Sequence, residues 1–252
     1  MTDSRDPSDP VSKTRKLITP ELPKRFYKQA EAIEEEGQYH LQLDGRKANT
    51  PARNKISVPF GGLAVALADE WNAQGEHIDP ALMPVTRLVN SAIDGVAPRM
   101  VEVRSDIASY AGTDALCYRA DEPEGLVAEQ NRHWDPVLDW AEQRHGARFR
   151  LACGIVHVEQ PAEALDAVRQ ALDVIDEPFR IAGLHVVTTI TGSALLALAL
   201  HGGEFDGEAL WAAAHVDEDW NIRQWGEDAE AKARRAKRYQ DYRSAMLAVR
   251  GD

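Results

Sequence analysis

Cysteine is scarce in this chain: its 252 residues contain only Cys117 and Cys153. A secreted disulfide scaffold needs more cysteines at tighter spacing, so both thiols are expected to be reduced and packed. Two cysteines cannot build a metal site without histidine. The eight histidines are scattered, with no His-Glu-x-x-His and no Cys-x-x-Cys, so no metal is expected. Clustered glycine is also missing. Gly61-Gly62 and Gly202-Gly203 are isolated pairs, not the strand, glycine loop and helix that cradle a nucleotide phosphate. No Gly-x-Ser-x-Gly elbow offers a nucleophile. Without these, neither a cofactor nor a small-molecule substrate is expected, and the chain does not read as an enzyme.

A positive balance is lacking too. The formal net charge is −12, which makes nucleic acid and anionic membrane surfaces poor partners. A basic or amphiphilic protein surface suits it better. Long apolar runs are nearly absent. The one exception, Gly183 to Leu200, has no charged residue apart from His185. Three threonines, two glycines and Ser193 lower its hydrophobicity below that of a membrane span. It reads as a single helix buried on all sides, with small residues that let neighbours approach closely. The first twenty residues are polar and contain Asp3, Asp6 and Asp9. They have no apolar core for a secretory signal, and mitochondrial presequences avoid acids. They read as a flexible tail on a cytoplasmic protein, with the mitochondrial matrix a weaker alternative.

What is present is an ordinary globular composition, 44% apolar and 28% charged, in a chain long enough for a sizeable core. From Arg25 to Pro59 the period is two. Phe26, Lys28 and Ala30 alternate with Tyr27, Gln29 and Glu31, and Tyr39, Leu41 and Leu43 alternate with His40, Gln42 and Asp44. Glu34 to Gly37 and Asp44-Gly45 are turn signals, the second of a kind that needs positive φ. Arg46 to Ala48 and Ile56 to Val58 complete a four-stranded antiparallel meander. The period then becomes helical. Leu63, Leu67 and Trp71 mark one helix ended by Gly75, and Val85 to Val96 marks a second, opened by Pro84 and closed near Gly95. The expected architecture is α+β: a tail over 1–20, an N-terminal sheet-and-helix domain over 21–97, and a mainly helical domain over 98–252. In the latter, helices are expected over 100–110, 123–145, 163–174, 179–200, 207–225 and 228–249. Ala115 to Tyr118 reads as extended, and Arg148 to Val158 as strand or irregular.

The densest polar and aromatic segment is Asp217-Glu218-Asp219-Trp220, continuing to Gln224-Trp225. Consecutive helical residues point about 100° apart, so the three acids cannot share one face. A solvated acidic patch over core tryptophans, an interaction surface and an acid/base site are all compatible with it. A hydrolase would need Asp217 or Glu218 together with a histidine such as His185 or His215. Two other groups suggest structural roles. Glu70 and Gln74 share a helix face beside Trp71, and Arg87 on an apolar helix calls for a charge partner, Asp94 or Glu70.

These segments together resemble the assembly chaperones that attend the alpha subunit of F-type ATP synthase. The resemblance rests on Glu70-Trp71-x-x-Gln74, Met83-Pro84-x-Thr86-Arg87-Leu88, Ala92-Ile93-Asp94 and Thr113-Asp114-x-Leu116-Cys117-Tyr118-Arg119. It continues through Trp134-Asp135-Pro136 and Asp217-Glu218-x-Trp220 to Gln224-Trp225-Gly226. Each motif is weak alone; their order across Lys24 to Met246 is specific. The resemblance implies a monomeric holdase that binds unassembled alpha subunit and shields it from aggregation until the beta subunit displaces it. It implies a functional acidic residue in the C-terminal helices, matched here to Glu218. Asp217, Asp219, Trp220, Gln224 and Trp225 then flank the contact, while Glu70, Trp71, Gln74, Arg87, Asp94 and Trp134 support the fold.

Overall fold

A computed structural model describes residues 22–154 and 157–251. The expected tail over 1–20 lies outside the described residues. Two hairpins organise the sheet. β1 (Ala30–Glu35) pairs antiparallel with β2 (Gln38–Leu43) from Ala30↔Leu43 to Glu35↔Gln38. The tight turn between them is Glu36-Gly37, both at positive φ. The second hairpin turns at Asp44-Gly45, with φ of 47° and 79°, as the sequence predicts for a type I′ turn. Asp44 also accepts amide bonds from Lys28 at 3.0 Å and Gln29 at 2.9 Å, which hold its carboxyl below the usual range, Gln29 contributing most.

The sheet departs from a simple meander. β3 (Arg46–Lys47) and β4 (Ser57–Val58) lie one after the other along the same side of β2. β3 is too short to pair the whole of β2, so the chain loops through 49–55 and returns to Tyr39 and His40. The first strand also starts later than its alternation suggests. Phe26 is 73% exposed and Tyr27 is buried, because residues 23–25 run along 76–78 instead of along β2.

The helices are α1 (Gly61–Asn72), α2 (Pro84–Ser91), α3 (Met100–Tyr110), α4 (Glu124–His145), α5 (Ala162–Asp173), α6 (Pro178–Thr191), α7 (Ala194–Gly202), α8 (Gly207–Ala214), α9 (Val216–Trp225) and α10 (Ala229–Arg250). α2 stops at Ser91 and relaxes into a π turn over Ala92–Val96 and a 3-10 turn over Ala97–Arg99. The extended reading of 115–118 is replaced by a 3-10 turn, Ala115–Cys117, followed by β5 (Tyr118–Arg119). β5 pairs in parallel with β6 (Ala152–Cys153).

Two expected helices are each divided. The run from Phe179 to Leu200 breaks at Gly192, which has φ +70° and caps α6, and Ser193 caps α7 through its side chain to the Leu196 amide at 3.0 Å. A left-handed glycine followed by an N-cap serine ends one helix and starts the next. Only α7 is buried on every side, from Ala194 to Leu200. Among the described residues no helix is long and apolar enough to cross a membrane. The second run, 207–225, breaks at His215, whose φ of −120° leaves the helical region. One continuous apolar cluster extends from Tyr27 and the sheet through α6 and α7 to Val249. α10 packs along α6, where Gly183 lets it come close: a Cβ there would stand 2.8 Å from the Ala245 carbonyl oxygen.

Candidate functional site

The motif residues near the N-terminus form an internal clasp. Glu70 on α1 accepts from the Val85 amide at 2.8 Å, the Thr86 amide at 2.7 Å and the Thr86 hydroxyl at 2.6 Å. It thereby satisfies the orphan amides at the start of α2. Burial nevertheless raises its pKa against the pull of those donors. Gln74 is buried, donates to the Glu70 carbonyl at 3.2 Å and accepts from the Asp79 amide at 2.8 Å. Trp71 packs against Tyr27, ring centroids 5.4 Å apart, and its carbonyl accepts from the Tyr27 hydroxyl at 2.6 Å. Asp94 holds the 49–55 loop through Thr50 Oγ1 at 2.7 Å and Asn54 Nδ2 at 2.9 Å. Arg87 pairs with neither Glu70 nor Asp94. It reaches across to Asp241 on α10 and donates to the Pro80 carbonyl.

A second clasp gathers the central and C-terminal motifs. Arg119 donates to Asn131 Oδ1 at 2.9 Å and Asp135 Oδ1 at 2.8 Å, with its guanidinium 5.1 Å from the Trp134 ring centroid. The Trp134 indole donates to the Ala213 carbonyl at 2.7 Å. Gln130, buried on the same helix, accepts from the Ala120 amide at 2.8 Å and donates to Asp217 Oδ1 at 2.7 Å. This chain of bonds anchors the start of α9 to α4. The expectation that both thiols are packed holds for Cys117, which burial pushes up to about 12, but Cys153 is exposed.

α9 divides its side chains between the fold and the outside. Asp217 is committed to Gln130, and Asp219 pairs with Arg235 of α10. Trp220 lies over Gly125 of α4, so close that a Cβ there would stand 2.5 Å from the ring. Arg223 covers Trp220 at 5.5 Å and bonds Glu129 at 2.7 Å. Among the described residues Glu218, Gln224 and Trp225 have no hydrogen-bond partner. Trp225 is 79% exposed. One helix thus carries its anchors together with a partly exposed carboxylate and an exposed indole that share a second face, Glu218 and Trp225 standing seven residues apart.

The same geometry bears on acid/base chemistry. His215 is buried beneath Trp211, centroids 3.9 Å apart, and its Nδ1 donates to the Trp211 carbonyl at 2.8 Å. Burial lowers its pKa. His185 bonds Asp106 at 2.8 Å. Neither histidine bonds Asp217 or Glu218. Three participants were not visible in the sequence. Sequence alone gives Asp241 and Gln130 only as parts of helices, and Asp114 only as a motif member. Asp114 is fully buried and accepts from the Leu116 and Leu195 amides, both at 3.1 Å, which ties the 3-10 turn to the start of α7.

Comparison with known proteins gives a consistent result. Residues 24–142 match the family described as ATP12 chaperone protein. The fold superposes on the crystal structure of the Atu1473 protein of Agrobacterium tumefaciens, a candidate chaperone, with TM-score 0.85 and 47% identity over 96% of this chain and 91% of that one. Atp12 from Paracoccus denitrificans gives TM-score 0.80 and 37% identity over 91% of this chain and 98% of that one. The mitochondrial atp12 protein of Schizosaccharomyces pombe is 24% identical over 220 residues, 82% of this chain and 75% of its own length.

Proposed function

The chain is a member of the ATP12 chaperone family, and from that premise we propose that it assists assembly of F-type ATP synthase by holding the unassembled alpha subunit until the beta subunit displaces it. An unassembled ring subunit exposes apolar interface and aggregates. A holdase needs a few strong anchors within a polar surround, so that it covers the client and still yields to a better partner. The observation that carries this reading is the outer side of α9. Most motif residues are bonded within the two clasps, whereas Gln224 and Trp225 are exposed and the partly exposed Glu218 carboxylate has no partner among the described residues, on a helix fixed by Asp217, Asp219 and Trp220.

The client then meets the helical part, residues 98–252, and residues 21–97 form a supporting unit. We place the protein, as a monomer, in the bacterial cytoplasm; the location is favoured by higher identity to the A. tumefaciens and P. denitrificans proteins than to the fission-yeast mitochondrial one.

Light scattering of isolated alpha subunit, with and without the purified chain, tests the role of the site. Glu218→Lys and Trp225→Ala are each expected to weaken the complex by about 2 kcal/mol, roughly thirtyfold in Kd. Both should leave circular dichroism and Tm unchanged, since neither side chain bonds the rest of the fold. Full protection by both variants would remove the client contact from α9.

A further inference from the structure

α1, the 80–85 turn and α10 enclose an open groove of about 910 Å³. Its apolar lining includes Ala66, Ala73, Leu82, Val85, Met246 and Leu247. Leu82 projects into it 68% exposed, a large apolar side chain that the fold leaves uncovered. The wall made by α10 runs from Ala236 to Leu247, about 16 Å or three helical turns. Both long walls are helices, so the groove offers no free strand edge. That geometry accommodates an amphipathic helix with anchors at i, i+3 or i+4, and i+7.

The charges on the rim decide what kind of helix fits. Arg87 and Asp241 neutralise each other at one end, and Glu70 is held by the Val85 and Thr86 donors. Asp69 on α1 and Lys237 and Arg243 on α10 remain, with no opposite-charge partner among the described residues. The chain as a whole is at −12, yet α10 carries seven Lys and Arg against Glu230 and Asp241. The other α10 cations are occupied. Lys232, Arg234 and Arg235 pair with Glu227, Glu230 and Asp219, and Arg238 and Arg250 donate to the Ile190 and Phe205 carbonyls. The two unoccupied cations therefore both line the apolar groove, about 9 Å apart along the α10 axis.

We infer that this groove is a docking site for an amphipathic helix of a partner protein, apolar on the buried side and acidic along the edge that faces α10. Leu82, Val85, Met246 and Leu247 receive its apolar residues. Lys237 and Arg243 receive its carboxylates, and Asp69 admits a cation on its other edge. The site is independent of the α9 face and does not require that the alpha subunit be the client.

The test uses the full-length protein and a fluorescein-labelled helical peptide of about 15 residues, with Leu along one stripe and Glu along its flank. Fluorescence anisotropy should show saturable binding, weakened about tenfold or more when the flank is Lys. Lys237→Glu with Arg243→Glu should reverse that preference, and Leu82→Asp should weaken both peptides. Equal affinity for the two peptides, or an unchanged preference in the charge-reversed protein, would overturn the inference. So would protection of the groove by phosphatidylserine vesicles in place of the peptide, or a dimer that disappears on Leu82→Asp, since these assign the surface to lipid or to a second copy.

Discussion

Asp114 is fully buried, with its carboxylate accepting from one amide of the 115–117 turn and one of the first turn of α7. Burial outweighs those donors and raises its pKa from 3.8 to about 6. The folded state therefore holds a proton more tightly than the unfolded one, and stability falls as pH rises from about 4 to about 6, then levels off. The gap corresponds to roughly 3 kcal/mol. Denaturant midpoints across that window are expected to decline in the wild type and to lose this component in Asp114→Asn, the other carboxylates being common to both. Parallel pH profiles would contradict the assignment. Other residues show what the sequence conveyed at this scale. Arg87 on an apolar helix signalled a partner, but nothing local could choose Asp241, 154 positions away, over Glu70 or Asp94. Glu70 beside Trp71 suggested support for the fold, whereas its capping of α2 became visible only once the two helices were placed.

At the level of elements, both β-hairpins were legible because a turn with positive φ needs Gly or Asn-like residues, and Gly37 and Asp44-Gly45 supply them. Amphipathic helices such as α4 and α5 were equally clear. The Gly183 to Leu200 run misled because apolar residues on every side erase the period that would mark an end. The signals were still there: Gly192 as a left-handed cap and Ser193 as the next N-cap. The close approach of α6 to α10 depends on Gly183, where an added Cβ would meet a backbone oxygen and Val249 Cγ2. Gly183→Ala is expected to cost about 1–3 kcal/mol through overpacking, read as a lowered Tm. An unchanged Tm would mean that the two helices separate without penalty. The α9 face was legible as a cluster but not as a division. Periodicity could not tell that Asp217 and Asp219 are held by Gln130 and Arg235 while the Glu218 carboxylate and the Trp225 indole have no partner among the described residues.

Over the whole molecule, absences did much of the work. Scarce cysteine, isolated glycine pairs and scattered histidines removed the common catalytic designs, and the ordered motifs supplied the positive resemblance. The structure adds the reason such motifs sit so far apart in sequence. Most of them close the two clasps, one tying α1 to α2 and the sheet loop, the other tying α4 to β5 and α9. The outer face of α9 and the α10 groove are the two surfaces proposed to meet other proteins. Their charges differ, acidic at Glu218 and basic at Lys237 and Arg243, so salt and charge-reversal variants separate them. We propose that the chain holds the alpha subunit. The most direct test is aggregation of purified alpha subunit under conditions where it alone scatters light. Equimolar chain should suppress the scattering, Glu218→Lys should suppress it far less, and added beta subunit should release the complex. Undiminished aggregation in the presence of the wild-type chain would rule out the holdase role.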